Sequence, residues 1–461
     1  MVRFCAIAVV ALATLGVAVH TGAEEASNTR AYHLDEYTAA AIQHYPSLKA
    51  TKADIEVAHA RLNEAKLSPF FQFHGRAALF VRPKASGTPI FSPDSQIQFN
   101  NPWGPGVELA VEGGIPIYTF GKYRAGKTAA RAGIKTAEQD QLKTLNQVVF
   151  DVRRAYFGTQ LSLDLQSMIS DGKGKLANAV EKLEARLNAD DPRVKQTDYW
   201  RLLSTLSEIE SRESEALRLE ASARAALEIL SGIKPAIVPE CALEPVKSEI
   251  LELSEHLDHA LANRPEIEQL NAAKSAREAN LVVKRAGYLP DIILALAATF
   301  ASTPIVTDID NPFIIDRGNF RGAFAGLVAK WELDFAGTNA RVKAAKAEIA
   351  SLKAKTEEAH QGIELEVSAL FEHLQDAKRR MNSWARAEKE TRKWFVSTGQ
   401  GYEVGTMSAK DLEDSIEGYL SARSKHLMAI AEYNLAIAGL EKATGVPLVN
   451  PKDWRPPGCE E

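Results

Sequence analysis

Three cysteines in 461 residues cannot build a disulfide framework. Basic residues do not outnumber acidic ones: 55 Lys and Arg stand against 60 Asp and Glu, a net charge of −5, which leaves no basic footprint for nucleic acid. After the first residues the chain has no run of about 18 consecutive apolar residues, so no transmembrane helix is expected in the mature protein. Proline is missing from the whole run between Gly121 and Leu187. Such a run, if one helix, would be about 100 Å long at about 1.5 Å per residue. Ordinary globular helices are far shorter. No nucleophile–base constellation stands out, and neither a cofactor nor an enzymatic activity is expected.

What the chain does have begins with an export signal. Arg3 precedes an apolar stretch from Phe4 to Val19, and Thr21-Gly22-Ala23 forms a small-residue cleavage pattern. The mature chain is expected to start near Glu24. Cys5 lies at the head of the apolar stretch, where no lipid anchor would form.

The remaining chain says nearly the same thing twice. Pro46-Ser47-Leu48 opens a charged helical run ending at Pro69, two alternating stretches follow, and long helices from Gly121 finish at Gly232. Pro265-Glu266-Ile267 opens a second such run ending at Pro290, two more stretches follow, and long helices from Gly337 finish at Gly445. The expected organisation is a signal peptide (1–23), a first repeat (24–240), a linker (241–262), a second repeat (263–445) and a tail (446–461). Strands are predicted at about 70–82 and 105–118, then at about 288–301 and 322–334. Helical hairpins are predicted at about 121–231 and 337–444.

The helices need helical partners. Leu142, Leu145, Val149, Val152, Tyr156, Thr159 and Leu163 step by threes and fours, as do Ile363, Val367, Leu370, Leu374, Ala377, Met381 and Trp384. These are coiled-coil seams. Breaks at Asn188-Ala189-Asp190-Asp191-Pro192 and at Gly399 to Thr406, each followed by another helical run, make two antiparallel hairpins with tips. A plain coiled-coil rod satisfies the seams equally well.

The strands decide between a rod and a channel. Phe71, Phe73, Ala77, Leu79 and Val81 alternate with Gln72, His74, Arg76 and Arg82. Val107, Leu109 and Val111 alternate with Glu108, Ala110 and Glu112. Leu327, Ala329, Trp331 and Leu333 alternate with Val328, Lys330, Glu332 and Asp334. The stretch from Tyr288 to Phe300 is apolar almost throughout, and its faces stay ambiguous. In a transmembrane barrel the apolar face meets lipid and the charges (Arg76, Glu108, Glu112, Lys330, Glu332, Asp334) face a wet lumen. Four strands cannot close a barrel, and open edges are not tolerated in lipid. Three chains would supply twelve strands, continued by a helical tube. The fold class is therefore mainly α with membrane β, duplicated within the chain.

Asn263-Arg264-Pro265-Glu266-Ile267 leading to Tyr288-Leu289-Pro290, its weaker copy at His44-Tyr45-Pro46-Ser47-Leu48, Tyr402-Glu403-Val404-Gly405-Thr406 and Glu432-Tyr433-Asn434-Leu435-Ala436 together resemble the TolC-like outer-membrane efflux family over essentially the whole mature chain. The resemblance implies a homotrimer with a twelve-stranded barrel in outer-membrane lipid and an α-helical tunnel across the periplasm. It implies docking onto a periplasmic adaptor and an inner-membrane pump or ABC secretion transporter, with Tyr402, Val404, Gly405 and Thr406 as adaptor contacts. Two departures stand out. The first tip reads Asp190-Asp191-Pro192 in place of a glycine turn. The stretch before the second tip carries Lys389, Arg392 and Lys393 in place of acidic gate residues, which suits either anionic cargo or a solvated helix face.

Three smaller features are read alongside. Cys241 and Cys459 each lie past the end of a repeat and either pair in an oxidising compartment or remain as two exposed thiols. His256 and His259, one helical turn apart, form a conceivable metal pair but lack a third ligand and are expected at the surface. Gly121 to Thr128 matches the phosphate-loop pattern G-x-x-x-x-G-K-[ST] letter for letter, which makes an NTPase a rival reading. The other rival is a periplasmic coiled-coil adaptor, which needs only one hairpin and no lipid-facing strands.

Overall fold

The computed structural model describes residues 30–70, 72–86, 96–191, 194–248, 250–309, 313, 316 and 318–454. The expected signal peptide, Phe71, Pro192 and Cys459 lie outside the described residues. Helices α1 (Leu34–His44) and α2 (Pro46–Leu67) lead into strands β1 (Gln72–Ser86) and β2 (Gln96–Tyr118), then α3 (Lys122–Asn188) and α4 (Gln196–Ser231). The same order follows again as α5 (Leu253–Asn263), α6 (Pro265–Arg285), β3 (Asp291–Ser302), β4 (Phe320–Lys330), α7 (Phe335–Glu403) and α8 (Ala409–Thr444).

The two runs also end alike in atomic detail. Gly232 and Gly445 close α4 and α8 in the left-handed region (φ 76° and 71°), each donating its N–H to the carbonyl four residues back, of Glu228 and Glu441. Glycine carries little conformational penalty there. Each of those glutamates then turns its carboxylate to the outgoing chain. Glu228 accepts from the Ala236 N–H, and Glu441 accepts from those of Leu448 and Val449 at 2.7 and 2.9 Å. A Cβ at Gly232 would collide with His44, the last residue of α1, and one at Gly445 would press on Asn263, the last residue of α5.

The 67 residues of α3 and 69 of α7 each fold back on a 36-residue partner, α4 and α8. The second seam is the better buried: Ile363, Val367, Leu374 and Ala377 are all inside, while Leu142 at the head of the first is exposed. The main core lies where both hairpins meet α1, α5 and the chain after α4. Tyr37, Tyr156, Phe157, Leu227, Ile437 and Leu440 are buried there. Arg153 of α3 joins this core between Glu441, with which it pairs, and the Trp454 ring 3.9 Å away. A second core, around Leu176, Leu183, Leu202, Leu412 and Ile416, runs towards the tips. Among the described residues no helix is long and apolar enough to cross a membrane.

The strands form one antiparallel sheet in the order β1-β2-β3-β4. β1 and β4 are therefore its two edges. Lys122 at the start of α3 grips both carboxylate oxygens of Asp291, the first residue of β3, at 2.8 and 2.9 Å. The two halves are tied at the line where sheet becomes helix.

Candidate functional site

The sheet register sorts the strand residues into two faces, because directly opposed residues in an antiparallel pair share a face. One face carries Ala77 opposite Leu109 opposite Phe300, and Leu79 opposite Val107. Further along lie Val111 with Ala298, and Leu294 with Leu327. This apolar face has little cover: Leu79 is 87% and Leu327 73% exposed. The register also resolves β3, whose sequence left both faces open. Leu294, Leu296, Ala298 and Phe300 join the apolar face, and Ala295, Ala297 and Thr299 the other.

The second face carries the charges. His74 lies opposite Glu112, Arg76 opposite Ala110, Ala78 opposite Glu108, and Asp291 opposite Lys330. Arg76 reaches diagonally to pair with Glu108. Four of the six expected strand charges (Arg76, Glu108, Glu112, Lys330) thus share a face. The other two do not belong to a strand, since β4 ends at Lys330 rather than near 334. Asp334 is the N-cap of α7, its carboxylate accepting the Gly337 N–H at 2.9 Å and pairing with Arg341 at 3.2 Å. Glu332 lies in the connector between them. Trp331, just past the strand, donates its indole N–H to the Tyr288 carbonyl at 3.2 Å.

The charged face is not uniformly polar. Phe80, Phe320 and Phe324 lie on it, and each ring lies against a glycine that could not carry a Cβ: Gly106, Gly322 and Gly326. At the far end of the sheet, away from the helices, the segment after β3 folds onto this face. Ile305 lies over Gly104, the Thr307 N–H donates to the Ala85 carbonyl at 3.1 Å, and Val306 bridges to Ala85. Asp316 holds the segment, accepting the N–H groups of Gly318, Asn319 and Ile309. Burial pushes its carboxyl up, but the three donors, joined by the Asn319 side chain, outweigh this and hold it below the usual carboxylate range.

At the opposite end lie the tips. The second is shorter than its sequence suggested, because α7 continues through Gly399–Glu403 and leaves only Val404 to Ser408 as the turn. Gly405 sits at φ 78°, and the Thr406 N–H and hydroxyl both donate to the Gly401 carbonyl, at 2.8 and 3.0 Å. Ser408 and Asp411 exchange bonds as a capping box that opens α8. The four expected contact residues fall together but face differently. Tyr402 turns inward onto the second core, and burial raises its hydroxyl pKa. Val404 is 75% exposed. The first tip manages without glycine. Asp190 takes the left-handed conformation (φ 51°), which a short polar side chain tolerates, and Asp191 clasps Arg186 at 3.0 and 3.1 Å. Lys182 to Glu403 and Thr205 to Glu413 link the two hairpins near their ends.

The phosphate-loop pattern is not a loop. α3 starts at Lys122, so Gly126, Lys127 and Thr128 lie inside a helix. The Lys127 ammonium rests 4.2 Å over the Tyr123 ring, and the Thr128 hydroxyl donates to the Arg124 carbonyl. Backbone N–H groups already used by the helix cannot cradle a phosphate. His256 corrects another expectation: it is buried rather than at the surface, beside Phe371, with burial first and His259 second lowering its pKa. No group of metal ligands exists among the described residues. Cys241 is disulfide-bonded, and it is the one cysteine among the described residues.

The site is a four-stranded sheet with one bare apolar face, seated on long coiled hairpins. Known proteins share parts of this sequence and this build. Residues 256–446 match the family model described as outer membrane efflux protein. The fold is that of outer-membrane channels. It superposes on the channel OprN with a TM-score of 0.73 at 17% identity, covering 89% of each chain. It superposes on the outer membrane protein VceC from Vibrio cholerae with a TM-score of 0.72 at 17% identity, covering 90% of this chain and 96% of that one. In sequence the chain is 23% identical over 343 residues to Protein CyaE of Bordetella pertussis, spanning 73% of this chain and 70% of that protein. The second half of the chain is thus similar in sequence to the outer membrane efflux proteins, and the whole described chain shares the fold of outer-membrane channels.

Proposed function

We propose that the protein is the outer-membrane exit duct of a tripartite efflux or secretion system, a passive conduit rather than an enzyme. The observation that carries this reading is the four-stranded sheet with both edges open and its apolar face bare. Open edges and bare leucines are unstable in water, and open edges equally so in lipid; both are resolved when copies of the chain complete a barrel. Three copies give twelve strands, with Arg76, Glu108, Glu112 and Lys330 lining the lumen and the hairpins continuing the tube through the periplasm. The tip at Val404–Thr406 then meets a periplasmic adaptor, which joins the duct to an inner-membrane pump or ABC secretion transporter. The inward Tyr402 supports that tip, and Val404 makes the contact.

Reconstitution into a planar lipid bilayer tests the conduit. Discrete current steps are expected from the purified protein, and persistent silence of demonstrably inserted protein contradicts the reading.

A further inference from the structure

Between α3 of the first hairpin and α7 and α8 of the second, a cavity of 190 Å³ opens to solvent partway to the tips. Three cations, Lys175, Arg392 and Arg423, line it against one carboxylate, Asp171. Its wall includes Phe395 and Tyr419, whose rings stack with centroids 5.5 Å apart and planes 4° from parallel. Arg423 is engaged within the protein: it donates to the Tyr419 hydroxyl at 2.9 Å and stands 4.0 Å from Glu388. The other two cations are less committed. The Lys175 ammonium rests 5.0 Å over the Phe395 ring. The Arg392 guanidinium has no ion pair or hydrogen bond among the described residues. The floor is tight, since a Cβ at Gly172 would come within 3.0 Å of Leu420.

A planar guanidinium presents a fork that matches a carboxylate, and a flat aromatic wall offers stacking area to a planar group. We propose that this cavity binds a small aromatic carboxylate. Arg392 holds the carboxylate, Lys175 adds charge, and the ring lies against Phe395. A ligand seated there touches both hairpins and ties them together near their tips. The site concerns a binding equilibrium and does not rest on the duct reading.

The test is a titration of the detergent-purified full chain with 4-fluorobenzoate, followed by fluorine NMR. Saturable binding at one site per chain is expected. Arg392→Gln, at an exposed position, is expected to weaken it by roughly tenfold or more. Phe395→Leu weakens it while leaving every charge in place. Lys393→Gln is the control, because Lys393 pairs with Glu390 at 2.8 Å and lies outside the cavity. That variant is expected to bind as the parent does. Absence of saturable binding, unchanged binding by Arg392→Gln, or an equal loss in Lys393→Gln would overturn the assignment, the last by showing attraction to surface charge alone. None of these readouts depends on whether the protein conducts.

Discussion

Asp316 shows how one side chain can gather the backbone of a connecting segment. Its carboxylate gathers three backbone N–H groups, while Asn319 accepts the Thr303 N–H and donates to the Val306 carbonyl. The pKa of Asp316 is depressed, so its stabilising contribution is fully present above the unfolded value of about 3.9 and is lost as the pH falls through the depressed folded value. A spin label at position 313, where Phe313 is 94% exposed, reports on this segment. The label is expected to stay slow from neutral pH down to about 4 and to loosen below that. In Asp316→Asn it is expected to be loose already at pH 7. A label equally restrained in both proteins at every pH would contradict this role. Cys241 makes a second prediction at this scale. Its bond is proposed to reach Cys459, stapling the stretch after α4 to the C-terminus. Thiol titration of the unfolded, unreduced mature protein is expected to find no free thiol, and one per chain in Cys459→Ser. Removing such a bond costs about 2–5 kcal/mol. Two thiols in the parent protein would rule the staple out.

At the scale of elements, the seams and alternations were legible because each rests on a period. Ile363, Val367, Leu374 and Ala377 are buried where a period of threes and fours placed them. Where one pattern ran past its element, the sequence misled. The alternation of Leu327, Ala329, Trp331 and Leu333 continues beyond β4 because the connector is extended too, and only the capping bond of Asp334 marks the change. The capping signal itself was available, an Asp three residues before Gly337 at a helix start. The faces of β3 could not be read, because its inner residues are small rather than polar: Ala295, Ala297 and Thr299. Pairing partners, which sequence alone does not give, settle them. Nor could sequence tell that Phe80, Phe320 and Phe324 lie on the charged face, since each depends on a glycine beside or across from it. The tip makes the element-scale prediction. Val404→Asp leaves the turn's hydrogen bonds to Gly401 intact and places a charge where an apolar contact is proposed. Binding of the cognate periplasmic adaptor is expected to weaken by about tenfold, near 1.4 kcal/mol. Unchanged affinity in a pull-down or titration would move the adaptor contact elsewhere.

At the scale of the whole molecule, the chain is an incomplete object. Among the described residues its sheet ends in two edges that are open except for the bridge at Ala85, its apolar strand face is bare, and its hairpins expose Leu365, Trp394 and Val396 as well. One order of helices, paired strands and hairpin is used twice along the chain. The matched endings at Gly232 and Gly445, with Glu228 and Glu441 turned to the outgoing chain, carry that repetition down to single carboxylates. The central claim is that several such chains share one barrel. The most direct measurement is the mass of the membrane-extracted, detergent-purified protein by light scattering with the detergent contribution separated. A stable particle of three chains carrying bound detergent is predicted. A detergent-free soluble monomer or dimer would contradict it, because the bare strand face would then cover a protein core rather than meet lipid.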